Sequence, residues 1–258
     1  MIKAAFFDID GTLLDHEAGG IIHEDTREAL KALRRKGIKV FIASGRNPWE
    51  IAELEGLRGF TADGWVLMNG QLGLGENGEV LFADYLEGKE KETILQAFRE
   101  KEVCVVLVTV KGNYANREGK DLTAAYAAIH TKTPLPQAYQ EEDIYMATLC
   151  GKEAELSELI AELQGCRLTY WREDALDVNA PGGEKLSGCE RMAALFGISI
   201  EDCMAFGDGE NDLSMLKGAG IGIAMGNGSP SAKEAADYVT EDIDKGGIVK
   251  ALVHYQCL

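Results

Sequence analysis

The sequence predicts an α/β fold in which a parallel-sheet core is interrupted by an inserted α+β segment. In residues 1–83, and again in 181–258, short apolar runs that end in Asp, Ser or Gly alternate with helix patterns. Such alternation is typical of βαβ units and a parallel sheet. Between these two stretches, in 84–180, helix and strand patterns follow a different order and end in two closely spaced strands.

The first part of the core begins with a strand and a helix. Residues 2–7 are short and mostly apolar, as expected for a buried parallel strand. The segment 25–36 predicts a helix, because it has apolar residues on one face, an acidic start, a basic end and Gly37 just beyond. The remaining elements are predicted as strands at 40–43 and 65–68, a short helix at 48–54 and a hairpin at 71–83 with a turn at Glu76-Asn77-Gly78.

The inserted segment predicts an antiparallel sheet covered by helices, since two helix-strand units are joined by extra strands. Helices are expected at 91–101, 122–129 and 153–163, and strands at 103–110, 144–150, 167–171 and 175–179. The core pattern resumes at Pro181. We therefore expect three stretches: core at 1–83, an inserted domain at 84–180 and core again at 181–258.

Carboxylates follow two distant strand patterns directly. Asp8 and Asp10 end the first strand in Asp8-Ile9-Asp10-Gly11-Thr12, and Asp208 and Asp212 follow the apolar run 204–207. Open α/β sheets bind ligands at the carboxyl ends of their strands, and Mg²⁺ takes oxygen ligands. The pattern favours a cation site over a solvated acidic loop without metal.

An EF-hand calcium loop is the competing acidic motif for the second cluster. Leu213 stands where that loop requires Gly, and Ala219 stands where it requires the final Glu. The calcium loop is therefore excluded.

Two further segments could complete a phosphate site. Ser44-Gly45-Arg46 follows the strand at 40–43, and a hydroxyl with backbone N–H groups at a strand end can bind phosphate oxygens. Lys185 ends the loop 181–185, before a helix pattern at 189–196. A lone Lys is usually a solvated surface charge, so Lys185 is a candidate for the site only because the other motifs are also present.

In this order the motifs resemble the haloacid dehalogenase (HAD) superfamily, and in particular its Cof-type, type IIB phosphatases. The resemblance implies a Rossmann-like parallel-sheet core with an inserted α+β cap of type C2B at 84–180, which determines substrate specificity. It covers the whole chain and is carried by DIDGTLL at 8–14, SGR at 44–46, Asn69-Gly70, Lys185 before a helix, GDGEND at 207–212 and the tail segments 222–227, 236–240 and 246–248.

The resemblance implies a role for each matching residue. Asp8 is the nucleophile that forms a covalent aspartyl-phosphate, and Asp10 is the general acid and base. Mg²⁺ is held by Asp8, the backbone carbonyl of Asp10 and Asp208, with Asp212 as a further ligand or support. Thr12 is expected to order the loop. Phosphate oxygens are expected at Gly11, Ser44, Gly45, Lys185 and Asn211, with a supporting contact beside the phosphate site as the alternative for Asn211.

Asp10 also discriminates among the activities of the superfamily. Its ATPases have Thr at this position and its dehalogenases an aromatic residue, so both are disfavoured, whereas a phosphomutase needs the same acid and base. A phospho-aspartate signalling module is the non-enzyme alternative, but it needs neither Asp10 nor the insertion. We therefore expect an Mg²⁺-dependent phosphatase acting on small phosphorylated metabolites, sugar phosphates in particular.

The sequence offers only candidates for substrate specificity. Arg46 and Asn47 follow the second core strand, and Asp177 and Asn179 lie where the insertion returns to the core. For each of them a turn or structural role is an equal alternative.

Composition limits the partners. The net charge of −17 over 258 residues argues against nucleic acid, because backbone binding needs a basic stripe. No apolar run approaches the length of a membrane span, and the first strand starts too early for a cleaved signal peptide. The six cysteines contain no C-x-x-C pair, which predicts buried free thiols in a cytoplasmic protein.

Overall fold

The computed structural model describes residues 1–258, which form two compact units. The first unit consists of Met1–Arg46, Ile51–Phe82 and Glu184–Leu258, and the second of Asn47–Glu50 and Ala83–Gly183. The role of the second unit as a cap stays a prediction.

Thirteen strands and nine α-helices make up the two units. The strands are β1 (Ala4–Phe7), β2 (Lys39–Ala43), β3 (Gly64–Leu67), β4 (Leu72–Gly75), β5 (Val80–Ala83), β6 (Cys104–Thr109), β7 (Gly112–Ala115), β8 (Met146–Cys150), β9 (Arg167–Arg172), β10 (Ala175–Asn179), β11 (Cys203–Gly207), β12 (Ile221–Ala224) and β13 (Tyr238–Val239). The helices are α1 (Glu24–Arg35), α2 (Pro48–Glu53), α3 (Gly88–Glu100), α4 (Lys120–Ala128), α5 (Glu153–Glu162), α6 (Lys185–Leu195), α7 (Leu213–Gly218), α8 (Pro230–Ala235) and α9 (Gly247–His254).

The larger sheet has eight strands in the order β13-β12-β11-β1-β2-β3-β4-β5. All neighbours from β13 to β3 are parallel, and β4 is antiparallel to β3 at the other edge. The predicted α/β class with a parallel-sheet core is confirmed. Because Phe7 at the end of β1 lies opposite Ile42 of β2 and Phe206 of β11, the residues that follow these three strands meet at one edge of the sheet.

The central strand β1 supplies both faces of the core. Its four residues are fully buried and alternate between two hydrophobic clusters, as the period of two in a strand requires. Ala5 and Phe7 pack in the cluster that contains residues of α1 and α9, whereas Ala4 and Phe6 pack in the cluster that contains residues of α6. Burial on both faces explains why the strand sequence is a continuous apolar run.

One predicted helix boundary differs from the observed one by more than three residues. Helix α1 lies within one residue of the predicted 25–36, and Gly37 beyond it has φ +80°. Helix α6 starts at Lys185 rather than at the predicted residue 189. The loop prediction was wrong because Glu184 acts as the N-cap, so that the helix begins as soon as the glycines end.

The second unit contains a five-stranded antiparallel sheet in the order β7-β6-β8-β10-β9. Ile94 and Phe98 of α3 and Leu156 of α5 pack with the buried side chains of β6 and β8 in one hydrophobic cluster. The α+β character predicted for this stretch is therefore observed. Strand β7 was not predicted, since Gly112-Asn113-Tyr114-Ala115 lacks both β-branched residues and alternation.

No helix has the length and apolar character needed to cross a membrane. All six cysteines are free, and five of them are buried, in agreement with the sequence prediction.

Candidate active site

The candidate site lies at the carboxyl edge of the larger sheet, where β1 and β11 end side by side. The backbone N–H of Asp8 donates to the carbonyl of Phe206 at 3.0 Å, so the parallel pairing continues one residue beyond β1. Asp8 follows β1 directly, and Asp208 follows β11. The sheet register thus brings together two carboxylates that are far apart in the sequence.

Lys185 joins two of the carboxylates. Its Nζ lies 2.6 Å from Asp8 Oδ1 and 2.5 Å from Asp212 Oδ1, and its side chain is fully buried. Burial alone would lower the pKa of Lys185, but Asp212 and Asp8 raise it above the ordinary value. The structure therefore places the Lys185 ammonium between two carboxyl groups, an arrangement that the sequence could not indicate.

Asp8, Asp208 and Asp212 form a cluster whose carboxylate oxygens lie within 4.8 Å of one another. Burial and then the charge of Asp212 raise the pKa of Asp8 well above its usual range, although Lys185 opposes the shift. The same two causes raise the pKa of Asp208 to about 7. Oxygen donors that repel one another at this spacing fit a hard divalent cation, because a cation would relieve the repulsion.

Asp212 supports the loop that carries Asp208. Its Oδ2 accepts the backbone N–H groups of Asp208 and Gly209, both at 2.9 Å, while Oδ1 accepts from Lys185. Asp212 is fully buried, at 0% exposure, in the first turn after β11. Both of its oxygens are thus already in use.

The turn after Asp10 contacts Asp208 directly. Gly11 has φ +77°, and a Cβ at this position would lie 2.4 Å from Asp208 Oδ2, so only glycine fits. Thr12 Oγ1 donates to Asp208 Oδ1 at 3.2 Å, in keeping with its predicted ordering role. Asn227 Nδ2 donates to the carbonyl of Gly11 at 2.8 Å, a contact that was not predicted.

Asp10 has a different set of partners from Asp8. Arg46 holds both of its oxygens, with Nε 2.7 Å from Oδ2 and Nη2 2.8 Å from Oδ1. His16 Nε2 lies 2.6 Å from Oδ1. Burial alone would raise the pKa of Asp10, but the hydrogen bonds from His16 and Arg46 lower it to about 2. Two carboxylates two residues apart therefore occupy opposite electrostatic environments.

The end of β2 brings Ser44 and Gly45 to the same edge. Ser44 is buried, and its Oγ accepts the backbone N–H of Arg46 at 3.2 Å. The backbone N–H of Asn69 donates to the carbonyl of Ser44 at 3.2 Å, and Asn211 Nδ2 donates to Asn69 Oδ1 at 3.5 Å. Asn69 therefore links the predicted residues Ser44 and Asn211. Its φ of +53°, which Asn tolerates, was signalled by the Asn-Gly pair.

The other specificity candidates belong to the second unit. Asn47 Nδ2 donates to Asn113 Oδ1 at 2.8 Å, and Asp177 accepts from Thr148 Oγ1 at 2.8 Å and from Trp171 Nε1 at 3.2 Å. These contacts bury polar side chains with satisfied hydrogen bonds.

Asn179 is the last of these candidates. Its amide donates to the carbonyl of Arg167 at 3.3 Å and to Thr169 Oγ1 at 3.2 Å. Both partners lie on the adjacent strand β9, so Asn179 has a structural contact in the second unit.

The arrangement combines a buried carboxylate cluster, a cation inside it and a separate carboxylate held by Arg and His. The family model of haloacid dehalogenase-like hydrolases matches residues 5–252. The chain belongs to the haloacid dehalogenase-like hydrolases. The family predicted from the sequence motifs is confirmed.

Relatives of this HAD-like hydrolase cover nearly its whole length. The Bacillus subtilis (strain 168) protein "Putative phosphatase YkrA" is 34% identical over 256 residues, with 97% of this chain and 96% of that protein covered. The HMP-PP phosphatase of Klebsiella pneumoniae (strain 342) is 30% identical, with 90% of this chain and 87% of that protein covered. The solved structure of the HAD subclass IIB sugar phosphatase BT4131 is 35% identical, with a TM-score of 0.86 and coverage of 99% and 100%. This HAD-like hydrolase is an enzyme of the phosphatase type.

Proposed function

We propose that the protein is an Mg²⁺-dependent phosphatase that hydrolyses small phosphorylated metabolites, sugar phosphates in particular, through an aspartyl-phosphate on Asp8. One observation carries the proposal. Asp8 lies beside Lys185 in the carboxylate cluster, whereas Asp10 faces Arg46 and His16. Pairs of titratable groups with divergent environments are typical of separate catalytic roles.

In the first step, an oxygen of Asp8 attacks the phosphorus and the bond to the leaving oxygen breaks. Because Oδ1 accepts from Lys185, we assign the attack to Oδ2. Lys185 favours the ionised form of Asp8, which burial disfavours, so it keeps the nucleophile available. Asp10 transfers a proton to the leaving oxygen, which departs as an alcohol.

In the second step, a water molecule attacks the phosphorus of the aspartyl-phosphate. Asp10, ionised after the first step, accepts a proton from this water, and the bond between phosphorus and Asp8 breaks to release inorganic phosphate. Both carboxylates return to their starting forms. In the free enzyme Asp10 is ionised, because the hydrogen bonds from His16 and Arg46 lower its pKa. It takes up a proton when the substrate binds, because the negative charge of the phosphoryl group raises the pKa of Asp10, and it loses this proton again when phosphate leaves.

The donor set supports a divalent cation held by Asp8, Asp208 and the backbone carbonyl of Asp10. Asp212 completes the set either as a ligand or by fixing the Asp208 loop through its two backbone contacts. When bound, the ion supplies neutralising charge to the phosphoryl oxygens and to the nucleophile. We propose Mg²⁺ because all the donors are oxygens.

The phosphate subsite is proposed at the ends of β1 and β2 and at Lys185. Phosphoryl oxygens that gain charge in the transition state would receive hydrogen bonds from backbone N–H groups and from side-chain donors. The residues proposed for this subsite are Gly11, Ser44, Gly45, Lys185 and Asn211.

The second unit, predicted as the cap at 84–180, is proposed to select the leaving group. Sugar phosphatase BT4131 supports a sugar phosphate, while the HMP-PP phosphatase of Klebsiella pneumoniae supports HMP-PP as a competing substrate. The free cysteines support the predicted cytoplasmic location, since a reducing compartment keeps thiols unpaired.

The proposal is tested by phosphate release from sugar phosphates, nucleotides, phosphorylated heterocycles and an aryl phosphate, with Mg²⁺ or with EDTA. Asp8→Asn is the test variant. Asp202→Asn is the matched control, because Asp202 pairs with Lys3 at the surface. We expect release that requires Mg²⁺, is lost in Asp8→Asn and is retained in Asp202→Asn. Release that survives in Asp8→Asn contradicts the proposal, and a phosphorylated isomer as the product would favour a mutase.

A further inference from the structure

The carboxylate of Asp10 is fixed from two directions. Arg46 contacts both oxygens as a fork, and His16 Nε2 contacts Oδ1 at 2.6 Å. A carboxylate paired with a guanidinium is ionised and has no hydrogen to donate, so Nε2–H of His16 is the donor in this pair. The side chain of His16 is 14% exposed, which makes it a largely buried partner.

The loop that carries His16 is closed by its own hydrogen bonds. Asp15 and Ile21 form an isolated bridge. The carboxylate of Asp15 contacts the backbone N–H of Ala18 at 3.0 Å and His23 Nε2 at 2.9 Å. Together with the bridge between Asp10 and Leu14, these contacts place the imidazole next to the carboxylate of Asp10.

We propose that His16 is a positioning residue that orients Asp10 for proton transfer to the leaving oxygen. The inference rests on the proposed function, because it assigns a task to Asp10. The Arg46 fork defines the plane of the carboxylate and contacts both oxygens equally. His16 adds a donor to Oδ1 alone and thereby makes the two oxygens unequal. Oδ2, which accepts from Arg46 Nε but not from His16, is then the oxygen that we assign to the leaving group.

The two amide variants of His16 separate this role from simple packing. The amide nitrogen of Gln reaches the position of Nε2, whereas that of Asn is shorter and corresponds to Nδ1. His16→Gln should therefore restore the hydrogen bond to Asp10, and His16→Asn should not. The matched control is His23→Asn, which removes the contact with Asp15 in the same loop but leaves Asp10 untouched.

The readout is kcat/KM for an alkyl phosphate, such as a sugar phosphate, and for p-nitrophenyl phosphate. This ratio covers steps up to formation of the aspartyl-phosphate and excludes its hydrolysis. A sugar alkoxide needs a proton to leave, whereas nitrophenolate leaves without one. General acid catalysis contributes about 10²–10⁴-fold, so partial misorientation in His16→Asn should cost roughly 10- to 100-fold for the alkyl phosphate.

With p-nitrophenyl phosphate, kcat/KM of His16→Asn should fall by less than about threefold, because this leaving group requires little acid catalysis. The kcat/KM of His16→Gln should stay within about threefold of the wild-type value on both substrates. The control His23→Asn keeps His16, so its kcat/KM should stay within about threefold of the wild type on both substrates. The KM of the alkyl phosphate should change little, since the defect is in the reaction step.

Three outcomes would overturn the inference about His16 but not the proposed function. In the first, His16→Asn loses kcat/KM equally on the two substrates, and in the second it loses none on either. In the third, His16→Gln is as poor as His16→Asn. A wild-type enzyme that releases phosphate from neither substrate would overturn the proposed function, and the role of His16 with it. The two failures are therefore distinguishable in one experiment.

Discussion

Replacement of Lys185 by Met should destabilise the protein strongly in the absence of metal. Lys185→Met keeps the length of the side chain but removes the ammonium group that lies 2.6 Å from Asp8 and 2.5 Å from Asp212. All three side chains are at most 8% exposed. The substitution therefore leaves two carboxylates in a buried site without their cation.

The magnitude follows from the separation of the charges. At an effective dielectric constant of about 20, one ion pair at this distance attracts by roughly 6 kcal/mol. The attraction energy of the two ion pairs is largely offset by the free-energy cost of burying three ions. Measured losses on breaking a buried ion pair are about 3–5 kcal/mol. We therefore expect the free energy of unfolding of Lys185→Met to fall by about 3–5 kcal/mol at pH 8.

The matched control is Lys31→Met, which breaks an ion pair with Glu28 on the exposed face of α1. Because exposed pairs contribute little, its free energy of unfolding should fall by less than about 1 kcal/mol. The assay is urea denaturation in EDTA followed by far-ultraviolet circular dichroism. A loss in Lys185→Met as small as that of the control would refute the reasoning.

The sign of the pH dependence provides a second check. Without Lys185, the pKa of Asp8 rises further above its unfolded value, so the folded variant binds more protons than the folded wild type. A group with a raised carboxyl pKa gains stability as the pH falls through that pKa. The difference in the free energy of unfolding between Lys185→Met and wild type should therefore become smaller as the pH falls from 8, and a difference that grows contradicts the assignment.

Three further changes test other contacts of the site. Gly11→Ala should lower kcat/KM by at least about tenfold, because its Cβ would lie 2.4 Å from Asp208 Oδ2, whereas Gly78→Ala, with φ +82° and no atom within 4 Å, should leave kcat/KM unchanged. Mg²⁺ affinity should fall by about tenfold per unit below pH 7, because Asp208, whose pKa is raised to about 7, must lose a proton to bind the ion. Titration calorimetry in two buffers should detect that proton, and an affinity independent of pH contradicts the ligand assignment. Asn227→Ala removes the donor to the carbonyl of Gly11 and should lower kcat/KM by about two- to tenfold, as loss of one hydrogen bond predicts. Wild-type kinetics in that variant would show that the Gly11 turn is held without Asn227.

The sequence could predict the residues whose positions depend on strand order alone. Asp8 and Asp208 directly follow buried apolar strands, and parallel strands deliver their next residues to one edge of a sheet. The same argument accounts for Ser44 after β2. The β4–β5 hairpin was predictable from a local turn signal.

Side-chain direction and long-range pairing could not be predicted in this way. Arg46 was predicted as a specificity candidate, and this stays a prediction. The contact of its guanidinium with Asp10 could not be predicted, because it depends on the tertiary structure. His16 lies in an irregular loop with no periodicity, so nothing in the sequence distinguished it. Asn69 was noted for its turn, yet its link between Ser44 and Asn211 requires three separate segments to meet.

The central claim is that Asp8 carries the phosphoryl group during turnover. The most direct measurement is an acid quench within the first turnover of a radiolabelled phosphate ester, followed by borohydride reduction and peptide mass spectrometry. Reduction converts an aspartyl-phosphate into homoserine. We predict label in the wild type and homoserine at position 8, with neither in Asp8→Asn. Full turnover without a labelled enzyme, or label on a residue other than Asp8, would contradict the account.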